Sequence, residues 1–182
     1  MKLSDEIDIL AEKINVCTEC RLHKNRKNAV PGEGNKNSNV MFIGEAPGKN
    51  EDVEGRPFVG RAGELLEELL ESVDLNRNDV FITNVVKCRP PDNRDPRKDE
   101  IETCNPYLER QIEFLEPEVI VTLGNHATET LIGKKGMKTI HGKRFEYKGF
   151  KLIPMYHPAA GLYNPDLKET MIEDMQQLKD YL

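Results

Sequence analysis

The chain has 182 residues, of which 32 % are charged and 37 % hydrophobic, a balance that favours one globular domain with its own core. Its net charge of −6 argues against a general nucleic-acid binder, and no apolar run approaches the roughly 20 residues that a membrane span needs. The acidic N-terminal stretch, 1–16, resembles neither a signal peptide nor a transit sequence, so we expect a soluble cytoplasmic protein in a reducing compartment.

Hydrophobic periodicity predicts helices that alternate with strands along the chain. A first helix over 4–15 is followed by a basic stretch rich in glycine and asparagine, up to residue 38. The predicted strands are 40–43, 80–84, 119–123 and 152–156. The predicted helices are 65–73, 97–115, a segment after residue 124, and 166–182; the segments 45–60 and 88–96 are predicted as loops.

This alternation predicts a single domain, 1–182, with a three-layer α/β/α fold around a mainly parallel, four-stranded sheet. Ligands of such sheets bind beyond the carboxyl ends of the strands. The predicted strand ends carry Glu45, Asn84, His126 and His157, which we expect to converge on one face.

Four cysteines form the sharpest pattern: Cys17 and Cys20 as a close pair, then Cys88 and Cys104. A Cys-x2-Cys pair can direct two thiolates at one metal, but a zinc ribbon uses two such pairs and this chain has one. Four thiolates collected from separate elements suit a [4Fe–4S] cluster better. Zinc, two disulfides or four unrelated thiols remain alternatives.

Basic residues are concentrated in two stretches without acids, 21–32 and 130–145. Such patches on an acidic body either follow a phosphate backbone or are solvated loops, and charge alone does not decide between them. A nucleotide hydrolase is disfavoured, because the loop 44–49 has three residues between its glycines and Asn50 after its lysine, unlike a Walker A loop.

Three side chains near the predicted strand ends suit a base-binding site. His157 lies between a strand and Pro158, Asn84 offers one acceptor and two donors, and Phe58 is an aromatic residue in a glycine-bounded loop. Each also has a structural reading: a core histidine, a turn residue and plain loop packing.

Seven motifs, in this order, resemble the thermostable iron–sulfur uracil-DNA glycosylases, known as family 4: CTECRL (17–22), VPGEG (30–34), GEAPGKNED (44–52), GRPFVGRAG (55–63), TNVVKCRPP (83–91), CNPYL (104–108) and HPAA (157–160). The resemblance covers nearly the whole chain. It implies a [4Fe–4S] cluster on Cys17, Cys20, Cys88 and Cys104 that pins loops near the DNA. It also implies hydrolysis of the N-glycosidic bond of deoxyuridine in single- or double-stranded DNA, which begins base excision repair.

The resemblance assigns the base contacts residue by residue. Phe58 stacks on the flipped uracil, Asn84 reads O4 and N3, and backbone amides of Glu45 and Ala46 bind uracil oxygens. Glu51 crowds C5 and so discourages thymine.

The same resemblance assigns His157 a hydrogen bond to the uracil O2, where negative charge builds up in the transition state. Other glycosylases of the superfamily have Asp or Asn where Ala46 stands, and an alanine activates no water. Glu45 is the nearest carboxylate and the candidate base; the alternative is a dissociative step that needs little base assistance.

One segment departs from the family pattern. After the HPAA motif the family more often has two apolar residues and then Arg, whereas this chain has Gly161, Leu162 and Tyr163. We expect Leu162 to be the wedge that enters the DNA helix, Gly161 to loosen the loop, and Tyr163 to replace a phosphate contact with a stacking ring.

Three other functions stay open: a glycosylase that traps DNA covalently, a non-catalytic iron–sulfur or zinc nucleic-acid-binding module, and a glycosylase for other deaminated bases such as hypoxanthine. The covalent variant has Gln in place of Ala46 and a basic insert that this chain lacks. The expected partner is uracil-containing DNA, with no membrane. A replication clamp is a further candidate, although neither end carries a clear clamp-binding peptide. We expect a monomer.

Overall fold

Within residues 3–182, which the structure describes, six strands form one sheet in this computed structural model. In chain order the strands are β1 (Glu33–Gly34), β2 (Val40–Gly44), β3 (Phe81–Asn84), β4 (Val119–Leu123), β5 (Phe145–Tyr147) and β6 (Phe150–Met155). Across the sheet the order is β1-β3-β2-β4-β6-β5. The four inner strands are parallel, and each outer strand is antiparallel to its neighbour.

The prediction of a mainly parallel α/β sheet is confirmed, but the predicted number of four strands is wrong, since the sheet within the described residues has six. The two additional strands lie at the edges and have two and three residues, too few for a periodic pattern to be visible. β5 and β6 form a hairpin, since Lys148 and Gly149 both have positive φ angles, 50° and 90°, as a two-residue primed turn requires. The lysine–glycine pair was the available sequence signal.

Helices cover both faces of the sheet. In chain order they are α1 (Leu3–Asn15), α2 (Lys49–Glu54), α3 (Arg61–Glu71), α4 (Lys98–Leu115), α5 (Asn125–Ile132), α6 (Met137–Ile140), α7 (Pro158–Gly161) and α8 (Pro165–Met175). Short 3₁₀ turns occupy Arg21–Lys24, Pro91–Asn93 and Gln176–Tyr181. The predicted terminal helix therefore changes to a 3₁₀ turn after Met175, and the predicted loop 45–60 contains α2.

Successive strand residues enter separate cores, because side chains alternate across a sheet. In β2, Met41 and Ile43 pack with residues of α1 and α4, whereas Val40 and Phe42 pack with residues of α3 and α8. All four are at most 1 % exposed. This two-sided burial explains the nearly continuous apolar strands and confirms the three layers. None of the helices between residues 3 and 182 has the length and apolar character to cross a membrane.

The buried face of α3 provides a test of this core. Leu66 is fully buried, whereas Leu182 is 57 % exposed. We expect Leu66→Ala to lower the free energy of unfolding by about 2–5 kcal/mol, because it leaves a cavity, and Leu182→Ala to change it by less than about 0.5 kcal/mol. Denaturant titration followed by circular dichroism measures both; equal losses would contradict the assignment of Leu66 to the core.

Candidate active site

A cavity of about 520 Å³ opens beyond the carboxyl ends of β2 and β3. Parallel pairing brings these ends together, with Gly44 opposite Asn84. The pairing continues past the strands, since the Val86 N–H donates to the Glu45 carbonyl at 3.1 Å. All six residues predicted to contact the base line this cavity: Glu45, Ala46, Glu51, Phe58, Asn84 and His157.

Asn84 is the last residue of β3 and only 2 % exposed. Its side-chain amide lines the cavity, where it offers one acceptor and two donors to a ligand. Gly44 makes room for it: a Cβ there would collide with Asn84 Oδ1 and lie 2.6 Å from the Phe58 ring. The glycine that ends β2 therefore lets the amide and the aromatic ring meet at the strand end.

Phe58 forms one wall of the cavity from a strained backbone, with φ at 49°. Arg77 fixes this conformation, because its guanidinium donates to the carbonyls of Pro57 and Phe58, the latter at 2.8 Å. Glu33 binds the same guanidinium at 2.6 Å. Burial raises the pKa of Glu33, but Arg56 and Arg77 outweigh it and leave that pKa below its usual range.

His157 stands beside Phe58, with ring centroids 5.6 Å apart. Its Nδ1 accepts the Ala159 N–H at 3.1 Å, so the proton of the neutral ring lies on Nε2. Burial lowers the pKa of His157, although Glu51 opposes the shift. The site therefore presents a neutral imidazole with an Nε2–H donor.

Two glutamates line the cavity in different ways. Glu51 accepts backbone N–H bonds from Gly48 at 3.1 Å and Val59 at 3.2 Å, so it also ties the loop around the cavity. Burial raises the pKa of Glu45; His126 opposes the shift and Asp95 adds to it. A raised pKa suits a group that takes up a proton during a reaction.

Sequence reasoning predicted a loop over 88–96 but missed that it closes one side of the cavity. Pro90, Asn93, Arg94 and Asp95 line it from the segment before α4. Glu100, whose side chain is fully buried, binds Arg94 through both carboxylate oxygens at 2.7 and 2.9 Å and so secures the loop. Nothing in the sequence of this segment indicates that it folds over the strand ends.

The four cysteines line a second, small pocket together with Ile14 and Tyr107. None forms a disulfide, which argues against the disulfide alternative. Burial raises the pKa of Cys104 to about 11, a shift that a bound metal would reverse because coordinated thiols lose their protons. Arg26 donates to Cys88 Sγ at 3.1 Å, as suits a thiolate. The donor set and the convergence of all four side chains fit an iron–sulfur cluster.

The family model described as Uracil DNA glycosylase superfamily matches residues 31–179. A type-4 uracil-DNA glycosylase of Saccharolobus solfataricus is 52 % identical over 98 % of this chain and 87 % of its own length. The chain belongs to the type-4 uracil-DNA glycosylases. Relatives with the same description from Sulfurisphaera tokodaii and Archaeoglobus fulgidus are 48 % and 45 % identical, over 97 % and 96 % of this chain and 84 % and 92 % of their own.

The segment in which this type-4 chain departs from the pattern lies outside the cavity. Gly161 does not loosen a loop: it ends α7, and a Cβ there would lie 3.0 Å from Met171 Sδ and 3.1 Å from Leu65. Leu162 lines a shallow groove with Arg61. Tyr163 is 79 % exposed, and its hydroxyl accepts a hydrogen bond from Arg61 at 2.7 Å.

Arg77 and Arg56 offer a matched test of the Phe58 wall, since both bind Glu33 but only Arg77 also binds loop carbonyls. We expect Arg77→Met to lower the free energy of unfolding by about 1–3 kcal/mol, because charge-assisted bonds are lost in a half-buried site. Arg56→Met, at an exposed pair, should cost under about 1 kcal/mol. Denaturant titration measures both losses, and a larger loss for Arg56→Met would contradict the role of Arg77 in fixing the Phe58 backbone.

Proposed function

We propose that the chain is a uracil-DNA glycosylase that hydrolyses the N-glycosidic bond of deoxyuridine in DNA, releases uracil and leaves an abasic site, the first step of base excision repair. The observation that carries this proposal is the meeting of Phe58, Asn84 and His157 around one cavity at the strand ends, in a type-4 chain. A cavity of about 520 Å³ holds a base but not a duplex, so the nucleotide has to leave the stack first. Unpaired or mispaired uracil costs less to extract, which favours single strands and U·G pairs.

Recognition follows from the chemistry of the walls. The Phe58 ring stacks on the base, and the side-chain amide of Asn84 donates to O4 and accepts from N3–H. Cytosine has an amino group in place of O4 and no N3–H, so both bonds would be mismatched. Backbone amides of Glu45 and Ala46 supply further donors, and Glu51 crowds C5, where thymine has a methyl group.

Bond cleavage depends on stabilising the base as it departs. The C1′–N1 electron pair departs with uracil, and the negative charge that develops on O2 is met by the Nε2–H of His157. The neutral imidazole is suited to this, because it donates a hydrogen bond without a strong interaction with the ground-state base. The sugar becomes an oxocarbenium ion.

Water then attacks C1′ and gives up a proton, which Glu45 accepts in this proposal; the uracil anion takes a proton from solvent. Ala46 contributes no acid or base. Glu45 lines the cavity and is 24 % exposed, so its carboxylate is open to water. Loss of a general base typically lowers the rate by about 10²–10⁴-fold, and we expect a loss of this size in Glu45→Gln.

The cysteines hold a [4Fe–4S] cluster in this proposal, with Cys17, Cys20, Cys88 and Cys104 as ligands. When bound, the cluster supplies a structural crosslink between the segment after α1, the loop after β3 and α4. Lys87, fully buried between the two sites, donates to the Asn84 carbonyl at 2.7 Å and to Thr83 and Gln111 at 2.6 Å. The strand end that presents Asn84 is thus braced beside the cysteine pocket.

Contacts to DNA beyond the flipped base are assigned to Leu162 as the wedge and to Tyr163, with Arg61, as a stacking and phosphate-facing pair. A groove next to the cavity supports a phosphate track, because Arg21, Lys24, Arg94 and Arg97 line it and Arg94 also lines the cavity itself. The first basic stretch of the sequence contributes two of these cations.

Other properties remain predictions from the sequence. They are a single glycosylase domain over 1–182, a monomeric state, a cytoplasmic location and recruitment by a replication clamp.

The activity is tested with a labelled single-stranded oligonucleotide that carries one deoxyuridine, followed by alkali cleavage of abasic sites. We expect cleavage at uracil and none at thymine or cytosine. His157→Ala and Asn84→Ala should each lose about 10²–10³-fold in rate. Asn78→Ala, an exposed loop asparagine, is the control and should retain full activity. A hypoxanthine substrate in parallel distinguishes the broader glycosylase. Binding without any base release, from protein with its metal intact, would instead favour the non-catalytic module.

Metal analysis tests the cofactor. Anaerobically purified protein should contain about four iron and four sulfide per chain, because four cysteines suit one cubane cluster. Cys104→Ser should lose most of the iron together with its visible absorbance. One zinc per chain and no sulfide would contradict the cluster and favour the zinc alternative.

A further inference from the structure

Glu45 shares its corner of the site with two residues that the base contacts leave unused. The His126 Nε2 lies 3.8 Å from Glu45 Oε2 and 3.5 Å from Asp95 Oδ2. One oxygen or nitrogen atom from each of the three residues lies within 4.8 Å of the others. The imidazole therefore lies between two carboxylates. Glu45 and Asp95 line the cavity, whereas His126 does not.

Separate elements bring the three side chains together, and each element is held by its own contacts. Glu45 follows β2, where the Val86 N–H binds its carbonyl. Asp95 follows Arg94, which Glu100 secures. His126 is the second residue of α5, which starts where the Gly124 N–H binds the Met155 carbonyl at 2.8 Å.

We propose that Asp95 and His126 are positioning residues for Glu45: they hold its carboxylate at the mouth of the cavity and set, in opposite directions, how readily it is ionised. This rests on the proposed function, in which Glu45 accepts the proton of the attacking water. The negative charge of Asp95 favours a protonated Glu45, whereas a protonated His126 favours the ionised form.

This balance matters because a base must be ionised before it can act, yet a strongly stabilised carboxylate accepts a proton poorly. Burial already raises the pKa of Glu45, with His126 opposing and Asp95 adding to the shift. As pH falls through that raised value, Glu45 becomes protonated and its contribution to the rate is lost. The acid side of the rate profile is thus expected at a higher pH than for an ordinary glutamate.

Other charged or titratable groups line the same two cavities as Glu45 without forming an ion pair with it. They are Glu51, Arg94 and His157 in the base cavity and Lys98, Glu102 and Glu129 in the neighbouring one. Of these, Glu129 serves as a matched control. It lies one turn after His126 on the same helix, is exposed, and pairs with Lys135 at 3.7 Å.

The first experiment follows the Glu45 carboxyl directly by carbon NMR titration, with Glu45→Gln identifying its resonance and EDTA present to remove stray metal. We expect Asp95→Asn to lower the titration midpoint of Glu45 and His126→Gln to raise it, each by roughly half a unit to one unit for groups this exposed. Glu129→Gln should leave the midpoint in place. Shifts of the same sign in the first two variants, no shift in either, or an equal shift in Glu129→Gln would overturn the proposal.

The second experiment measures single-turnover uracil release against pH for the same variants, with enzyme in excess so that the chemical step is observed. The acid limb should move to lower pH in Asp95→Asn and to higher pH in His126→Gln, while substrate binding stays unchanged. If the Glu45 midpoint shifts in opposite directions in Asp95→Asn and His126→Gln but the protein releases no uracil, the effect of both residues on Glu45 stands and the proposed function is refuted. Normal uracil release with an unmoved acid limb would refute the positioning role alone.

Discussion

Parallel pairing between β2 and β3 is the constraint on which the site depends. It places Gly44 opposite Asn84, and two backbone bonds past the strand ends, from Val85 and Val86, carry the alignment into the following loops. A shift of one residue would turn Asn84 to the other face of the sheet and into a core. This one register sets the positions of the Asn84 amide, the Glu45 carboxylate and the chain that leads to the cysteine pocket.

The same strand end connects the two chemical regions of the molecule. Lys87 is 1 % exposed, yet its ammonium group has three oxygen partners, one of them the Asn84 carbonyl. Burial lowers the pKa of Lys87 to about 7, and the neighbouring Cys104 and Cys88 oppose the shift. A buried amine with complete hydrogen bonding rigidifies its surroundings, because any movement would leave a polar group unsatisfied.

Backbone strain at Phe58 illustrates how a binding wall is prepared in advance. An aromatic residue with positive φ is costly by about 1–3 kcal/mol, and such a conformation persists only when its surroundings determine it. Here the guanidinium of Arg77 and the start of α3 do so, because a Cβ at Gly63 would overlap the Phe58 carbonyl. A wall that is ordered beforehand loses little entropy when a ligand packs against it.

The sequence by itself determined the layers and most of the candidate site. The alternation of strands and helices predicted a mainly parallel sheet. The rule that ligands bind at strand ends, with the family motifs, pointed to Glu45, Asn84 and His157. It did not reveal β1 and β5, whose two and three residues are too short for a periodic signal. Only the tertiary structure decided that the loop carrying Asp95 folds against Glu45 and His126, and that Arg77 clamps Phe58. These contacts join residues far apart in the chain, and no local pattern records which distant side chain completes a charge or a hydrogen bond.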